Sequence, residues 1–164
     1  MTKYIVCLSF LILILAGCGG STQEKAVEKQ IERATGSDAD VDISGDNMKI
    51  SGQTKEGAFS LSSGEEVDIP KDFPEDVPIY TPSSVSMAMN TPEGHSLTLR
   101  SSDDSKKILD SYKREMIAKG WSEQASINMG DQSMLTYKKG DRAANITVGQ
   151  SDGETQIMLI VGKE

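Results

Sequence analysis

"IMLIV", residues Ile157–Val161, is apolar at every position. A strand with one wet face alternates apolar and polar residues, so an unbroken run implies cover on both sides. What supplies that cover decides the fold. One face is expected to meet an amphipathic helix. The other is expected to meet a proline-rich connector, the N-terminal strands or a partner protein.

Working outward from that run, strands are expected near 155–161, 142–149 (Ile146, Val148), 132–138 (Met134, Leu135, Tyr137) and 121–128 (Trp121, Ala125, Ile127). Turn-forming residues separate them: Ser151-Asp152-Gly153-Glu154, Lys139-Gly140-Asp141 and Met129-Gly130-Asp131. Before them Ser101-Ser102-Asp103-Asp104 offers caps and early negative charge for a helix. Its apolar positions Ile108, Leu109, Tyr112, Met116 and Ile117 fall on one face, and Lys119-Gly120 ends it. Two further strands, near 84–91 (Val85, Met87, Met89) and 95–101 (Leu97, Leu99), meet across Pro92-Glu93-Gly94. The pattern ββα then four strands predicts an α+β fold over residues 84–164, an antiparallel sheet with one amphipathic helix across it.

Upstream, Pro70, Pro74, Pro78 and Pro82 recur at every fourth position. Proline fixes φ and removes a donor, so residues 65–83 read as an extended, stiff connector. Phe73, Val77, Ile79 and Tyr80 are expected to lay it onto the following domain. Residues 23–64 read as a short helix followed by a small β-hairpin region. The helix, Gln23–Thr35, carries the stripe Val27, Ile31, Ala34. Short strands follow around Val41, Ile43, Met48, Ile50, Phe59 and Leu61, with a turn at Ser44-Gly45-Asp46-Asn47. Acid is concentrated in this half: 14 acidic and 6 basic residues between Ser21 and Tyr80, against 11 and 10 from Thr81 to Glu164.

The chain begins MTKYIVCLSFLILILAGC. Its apolar run of roughly 13 residues is about 20 Å long as a helix. That suits a signal-peptide core better than a span of the ~30 Å bilayer interior. The run ends in Leu15-Ala16-Gly17-Cys18, which resembles the lipobox of bacterial lipoproteins. The resemblance implies diacylglyceryl transfer to the Cys18 thiol, cleavage between Gly17 and Cys18, and acylation of the new amine. Residues 1–17 would then be removed and 18–22 would form a polar tether. Several acyl chains on one cysteine hold a protein to a membrane far more firmly than one. An aspartate after the cysteine resembles the inner-membrane retention signal of enteric bacteria. Gly19 stands there instead, favouring the outer membrane, facing the periplasm, in an organism with two membranes.

Residues ~70–162 resemble a group of small uncharacterised bacterial envelope lipoproteins. The resemblance rests on Val77-Pro78-Ile79-Tyr80 and on Ser111-Tyr112-Lys113 leading to Gly120-Trp121. Ser111 stands where that group often has Phe, and Thr81 separates Tyr80 from Pro82. The resemblance implies no activity. It implies that Tyr112 packs under the sheet and that Trp121 begins a strand.

The 164 residues carry a formal net charge of −8, and removing residues 1–17, whose one charge is Lys3, makes it −9. Such a surface disfavours nucleic acid and anionic lipid. Cys7 leaves with the signal peptide and Cys18 carries lipid, so no thiol remains for disulfides, catalysis or metal. Asp38, Asp40, Asp42 and Asp46 suggest calcium, but the EF-hand positions for Gly and Glu hold Ile43 and Lys49, and a solvated strand face accounts for them. His95 is the only histidine and is expected at the surface. Met87 and Met89 share a strand face, which suggests either soft-metal binding or core packing, and core packing is the expectation. Lys106, Lys107, Lys113, Arg114 and Lys119 read as the wet face of the helix. No Gly-x-Ser-x-Gly, phosphate loop or His-Glu-x-x-His is present. No catalytic residue, metal site or cofactor is therefore assigned. The expected function is a lipid-anchored, non-enzymatic interaction or binding module of the cell envelope, with the membrane and an envelope protein as partners. An envelope hydrolase using acidic residues, or a purely structural envelope protein, are the alternatives.

Overall fold

The computed structural model describes residues 20–35, 39–65, 67–151 and 153–164. Gly17 and Cys18 lie outside the described residues, as does Asp38. Helix α1 (Gly20–Thr35) precedes strands β1 (Ala39–Ser44), β2 (Asn47–Gln53) and β3 (Ala58–Ser63). The connector leads to β4 (Ser84–Thr91), β5 (Gly94–Ser101) and helix α2 (Ser105–Ala118). Strands β6 (Ser122–Met129), β7 (Gln132–Lys139), β8 (Arg142–Ser151) and β9 (Glu154–Lys163) follow.

All nine strands join one antiparallel sheet in the order β1-β2-β3-β4-β5-β9-β8-β7-β6. This corrects the α+β expectation. The architecture is dominated by one continuous sheet, and the N-terminal strands are part of it. The reason is the β3–β4 pairing, with Leu61 opposite Met89 and Ser63 opposite Met87, which spans the connector and merges the two sets of strands. Local alternation tells which residues share a face but carries no signal for a pairing formed across more than twenty residues.

Chain order explains the layout. β1 to β5 are laid down as neighbours. Then α2 crosses one face and delivers β6 to the far edge, from which the chain walks back until β9 pairs with β5 on one side and β8 on the other. The N-cap of α2 is Asp104, whose carboxylate accepts the Lys107 backbone N–H at 2.9 Å. Its C-terminus is a Schellman motif: the Gly120 N–H donates to the Ile117 carbonyl and the Trp121 N–H to that of Met116. Gly120 adopts φ +82°, a left-handed geometry that costs a side-chain-bearing residue free energy.

The core lies on the α2 side of the sheet. Ile108, Tyr112 and Met116 bury themselves there, in one cluster with Leu97, Leu99, Leu135, Ile146, Ile157 and Leu159. Each such aliphatic side chain contributes roughly 1.5–3 kcal/mol by leaving water. Phe73, Val77 and Tyr80 of the connector join this cluster. The connector is turned as well as extended: the Phe73 N–H donates to the Pro70 carbonyl and the Val77 N–H to that of Pro74. At the opposite end, α1 packs on β1, and Val41 and Ile50 are buried apart from the main core. Among the described residues no helix is long and apolar enough to cross a membrane.

Candidate functional site

The register resolves the opening run of apolar residues. Ile157 lies opposite Leu99 and Val148, and Leu159 opposite Leu97 and Ile146, all buried beneath α2. The intervening Met158 and Ile160 point the other way. The connector lies on the buried side, so the expectation that both faces of this strand are covered is corrected. Met158 and Ile160 keep 39% and 44% of their surface exposed.

Their face is an organised surface. Met158 pairs with Thr98 of β5, which pairs with Met87 of β4. On the other side Met158 pairs with Thr147 of β8, which pairs with Met134 of β7. Methionine and threonine thus alternate from strand to strand in a single row. Beside this row lie Met89, opposite Ser96, and Ile160. Met87 and Met89 are 43% and 40% exposed, so core packing does not account for them. Ile127 and Met129 continue the exposed apolar surface at the β6 edge. Where β3, β4, β5 and β9 end, the face dips into an open cleft of about 570 Å³. Met87, Thr98 and Arg100 line it together with the carboxylates of Asp46, Glu65 and Glu154.

The remaining candidates sort as follows. Asp40 and Asp42 are exposed on β1, and Asp46 sits in the β1–β2 turn. Among the described residues no group of three or more His, Cys, Asp or Glu side chains is placed to hold a metal ion. His95 is corrected from the surface to the margin of the core. Its ring meets Phe73 edge-on at 5.8 Å, and its Nδ1 is buried without a hydrogen-bond partner among the described residues. Of the α2 cations, Lys106 and Lys107 form exposed pairs with Asp110 and Asp103. Lys119 instead reaches the Glu75 carbonyl at 2.8 Å.

Sequence reasoning missed the cluster that holds the connector. The β7–β8 turn places Lys139 and Arg142 side by side, facing Asp76. Arg142 donates to both Asp76 carboxylate oxygens, at 3.0 and 2.5 Å, and Lys139 donates at 2.7 Å. The Trp121 indole N–H donates to the Asp76 carbonyl at 2.8 Å, and the Arg142 guanidinium lies 5.0 Å from the Trp121 ring centre. The proline- and acid-rich connector gave no hint that Asp76 differs from its acidic neighbours. At the connector's other end the Tyr80 hydroxyl donates to Asp103 at 2.6 Å, which raises the tyrosine pKa.

Arg142, with help from Lys139 and against partial burial, holds the Asp76 carboxyl down to about 2 from an ordinary 3.8. A carboxyl depressed in the folded state adds stability above its unfolded pKa and loses it as pH falls through the folded one. The window is therefore about pH 4 down to pH 2, and the contribution is roughly 2 kcal/mol. Urea midpoints of the parent and Asp76→Asn should differ at pH 6 and converge near pH 2. A gap that persists at pH 2 would exclude this ionisation as its source.

Residues 82–154 match a family model described as START domain-like. The matched stretch runs from the end of the connector through β8 and stops at the first residue of β9, so it takes in α2 and the Met87–Met89 segment but neither Met158 nor Ile160. The likeness is consistent with a ligand-binding module. In this chain the space between α2 and the sheet is filled by Ile108, Tyr112, Met116 and Trp121. Neither a curated protein nor a solved structure matches the chain.

Proposed function

We propose that the chain is a lipid-anchored, non-enzymatic binding module of the bacterial cell envelope, and that it binds through the open face of its sheet. One observation carries the second part: Met87, Met89, Met158 and Ile160 stand exposed at the centre of a nine-stranded sheet whose other face carries α2 and the connector, while their own face is buried at its β1–β2 end, where Val41 and Ile50 lie in the row of Met89 and Ile160. Exposed apolar area of this kind on an otherwise charged protein marks a contact surface. The partner is taken to be an envelope protein, since the net negative charge disfavours nucleic acid and anionic membrane surfaces. The address rests on Leu15-Ala16-Gly17-Cys18: cleavage after Gly17, lipid on Cys18 and, given two membranes, residence at the outer membrane facing the periplasm.

The two parts are tested separately. Metabolic palmitate should label the parent and leave Cys18→Ala unlabelled, and equal labelling would sink the anchor. For the face, a protein recovered reproducibly from crosslinked envelopes with the parent should be lost with Ile160→Glu, whose exposed position leaves folding intact. The same recovery from both chains would overturn the open face as the contact surface.

A further inference from the structure

We infer that the partner docks on the open face as a basic amphipathic helix, its apolar ridge lying along β5 and its Lys or Arg residues meeting the carboxylates at one end. The inference rests on the open face being the binding surface, and it names the partner's chemistry. On that face β5 presents Ser96, Thr98 and Arg100 at alternate positions. Met89 and Met87 flank Ser96 and Thr98 from β4, and Ile160 and Met158 flank them from β9. Short side chains thus form a floor between two rows of long ones, whose strands lie about 10 Å apart. A helix, about 10–12 Å across with its side chains, lays one ridge into such a trough. The walls are three methionines and an isoleucine, each 39–44% exposed, and methionine has the torsional freedom to adapt to the ridge.

Three observations favour this occupant. The backbone of β5 is already paired on both sides, with β4 and β9. An extended peptide laid over the trough gains no ladder bonds there, whereas a helix arrives with its own backbone bonds made. The same face also seats one helix already. α1 packs on β1, where Val41 is buried while Asp40 and Asp42, on the opposite face, are exposed. Half-buried Leu61 links Ile50, beside Val41, to Met89 in one row, so the trough continues the surface that α1 begins to cover. Finally, the trough opens past Thr98 into the cleft, where Asp46, Glu65 and Glu154 outnumber Arg100 among the described residues lining it. That excess of acid, on a chain of net charge −8, complements a basic helix and disfavours a second copy of the chain.

The test uses the full chain with its methionine methyls labelled with carbon-13. The probes are three synthetic peptides of about 14 residues, roughly 21 Å long as helices. All carry leucine at helical spacing on one face. The first has lysine at the remaining positions, the second has glutamate there, and the third is the lysine peptide with two central prolines, which break the helix. The lysine peptide should shift the methyls of Met87, Met89 and Met158, saturate at one equivalent and leave buried Met116 unmoved. The glutamate and proline peptides should bind at least about tenfold more weakly. M87S/M158S takes one residue from each wall and should weaken the lysine peptide at least about tenfold, and E65Q/E154Q at least about threefold, with the Met116 resonance reporting an intact fold. Equal binding of the lysine peptide and either of the others, or unmoved Met87 and Met158 methyls, would overturn the basic helix. Shifts of the same methyls on raising the protein concentration alone would put a second copy on the face and overturn it too. Failure of the lysine peptide while Ile160→Glu still loses the envelope protein removes the helix alone. Equal recovery by the parent and Ile160→Glu removes the docking reading whatever the peptides do.

Discussion

Replacing Trp121 with alanine should lower the free energy of unfolding by about 3–5 kcal/mol, the range for a large aromatic removed from a core. Trp121 is 2% exposed and sits where three structures meet: the Schellman end of α2, the start of β6 and the connector. Its ring fills the core beside Tyr112 and Met116, its N–H satisfies the Asp76 carbonyl, and its face receives Arg142. Trp121→Phe keeps much of the ring but leaves that carbonyl without its donor, and should cost less, roughly 1–3 kcal/mol. Trp121 is the chain's single tryptophan, so unfolding is followed by circular dichroism in urea. Amide exchange in residues 73–80 should rise in the alanine variant well before exchange in β9 does. Equal urea midpoints for the alanine and phenylalanine variants would show that packing contributes little at this position.

Ile157→Ala and Ile160→Ala should differ by more than 1 kcal/mol, although the same group is removed three residues apart on one strand. Ile157 is fully buried between Leu99 and Val148, and its truncation should cost about 2–5 kcal/mol in lost transfer energy and cavity. Ile160 is already 44% in water, so its truncation should cost less than about 1 kcal/mol. Paired urea denaturation of the two variants reads the difference directly. Comparable losses would mean that the open face is covered in solution.

Those two isoleucines also show what was and was not legible in the residues. Local signals were strong. Asp104 and Gly120 bracket α2, and Gly130-Asp131 and Gly140-Asp141 make the tight turns their glycines favour. The docking of Phe73, Val77 and Tyr80 was readable because large apolar side chains in a proline-rich segment need somewhere to go. Long-range pairing was not. Nothing near Leu61 or Met89 says that β3 and β4 are partners, so one sheet was read as a domain preceded by a separate hairpin region. The run Ile157–Val161 misled for a related reason. Continuous apolarity usually means a strand buried twice, and here one of its two faces stays half exposed. The Met87–Met89 spacing gave the shared face correctly but not its exposure, which depends on which side of the sheet α2 crosses.

The position of β9 has a consequence for the order in which the fold can be completed. Both of its neighbours, β5 and β8, precede it in the chain. Until β9 emerges, the growing polypeptide holds two ribbons, β1–β5 and β6–β8, each presenting an unpaired edge and joined only through α2. Such edges invite pairing with other chains. A strand inserted last between two preformed ribbons also makes the contacts of greatest sequence separation late, which slows closure. Under the proposed envelope address, that delay would have a use: a chain that cannot zip up until nearly all of it has been delivered would stay threadable for as long as transport requires.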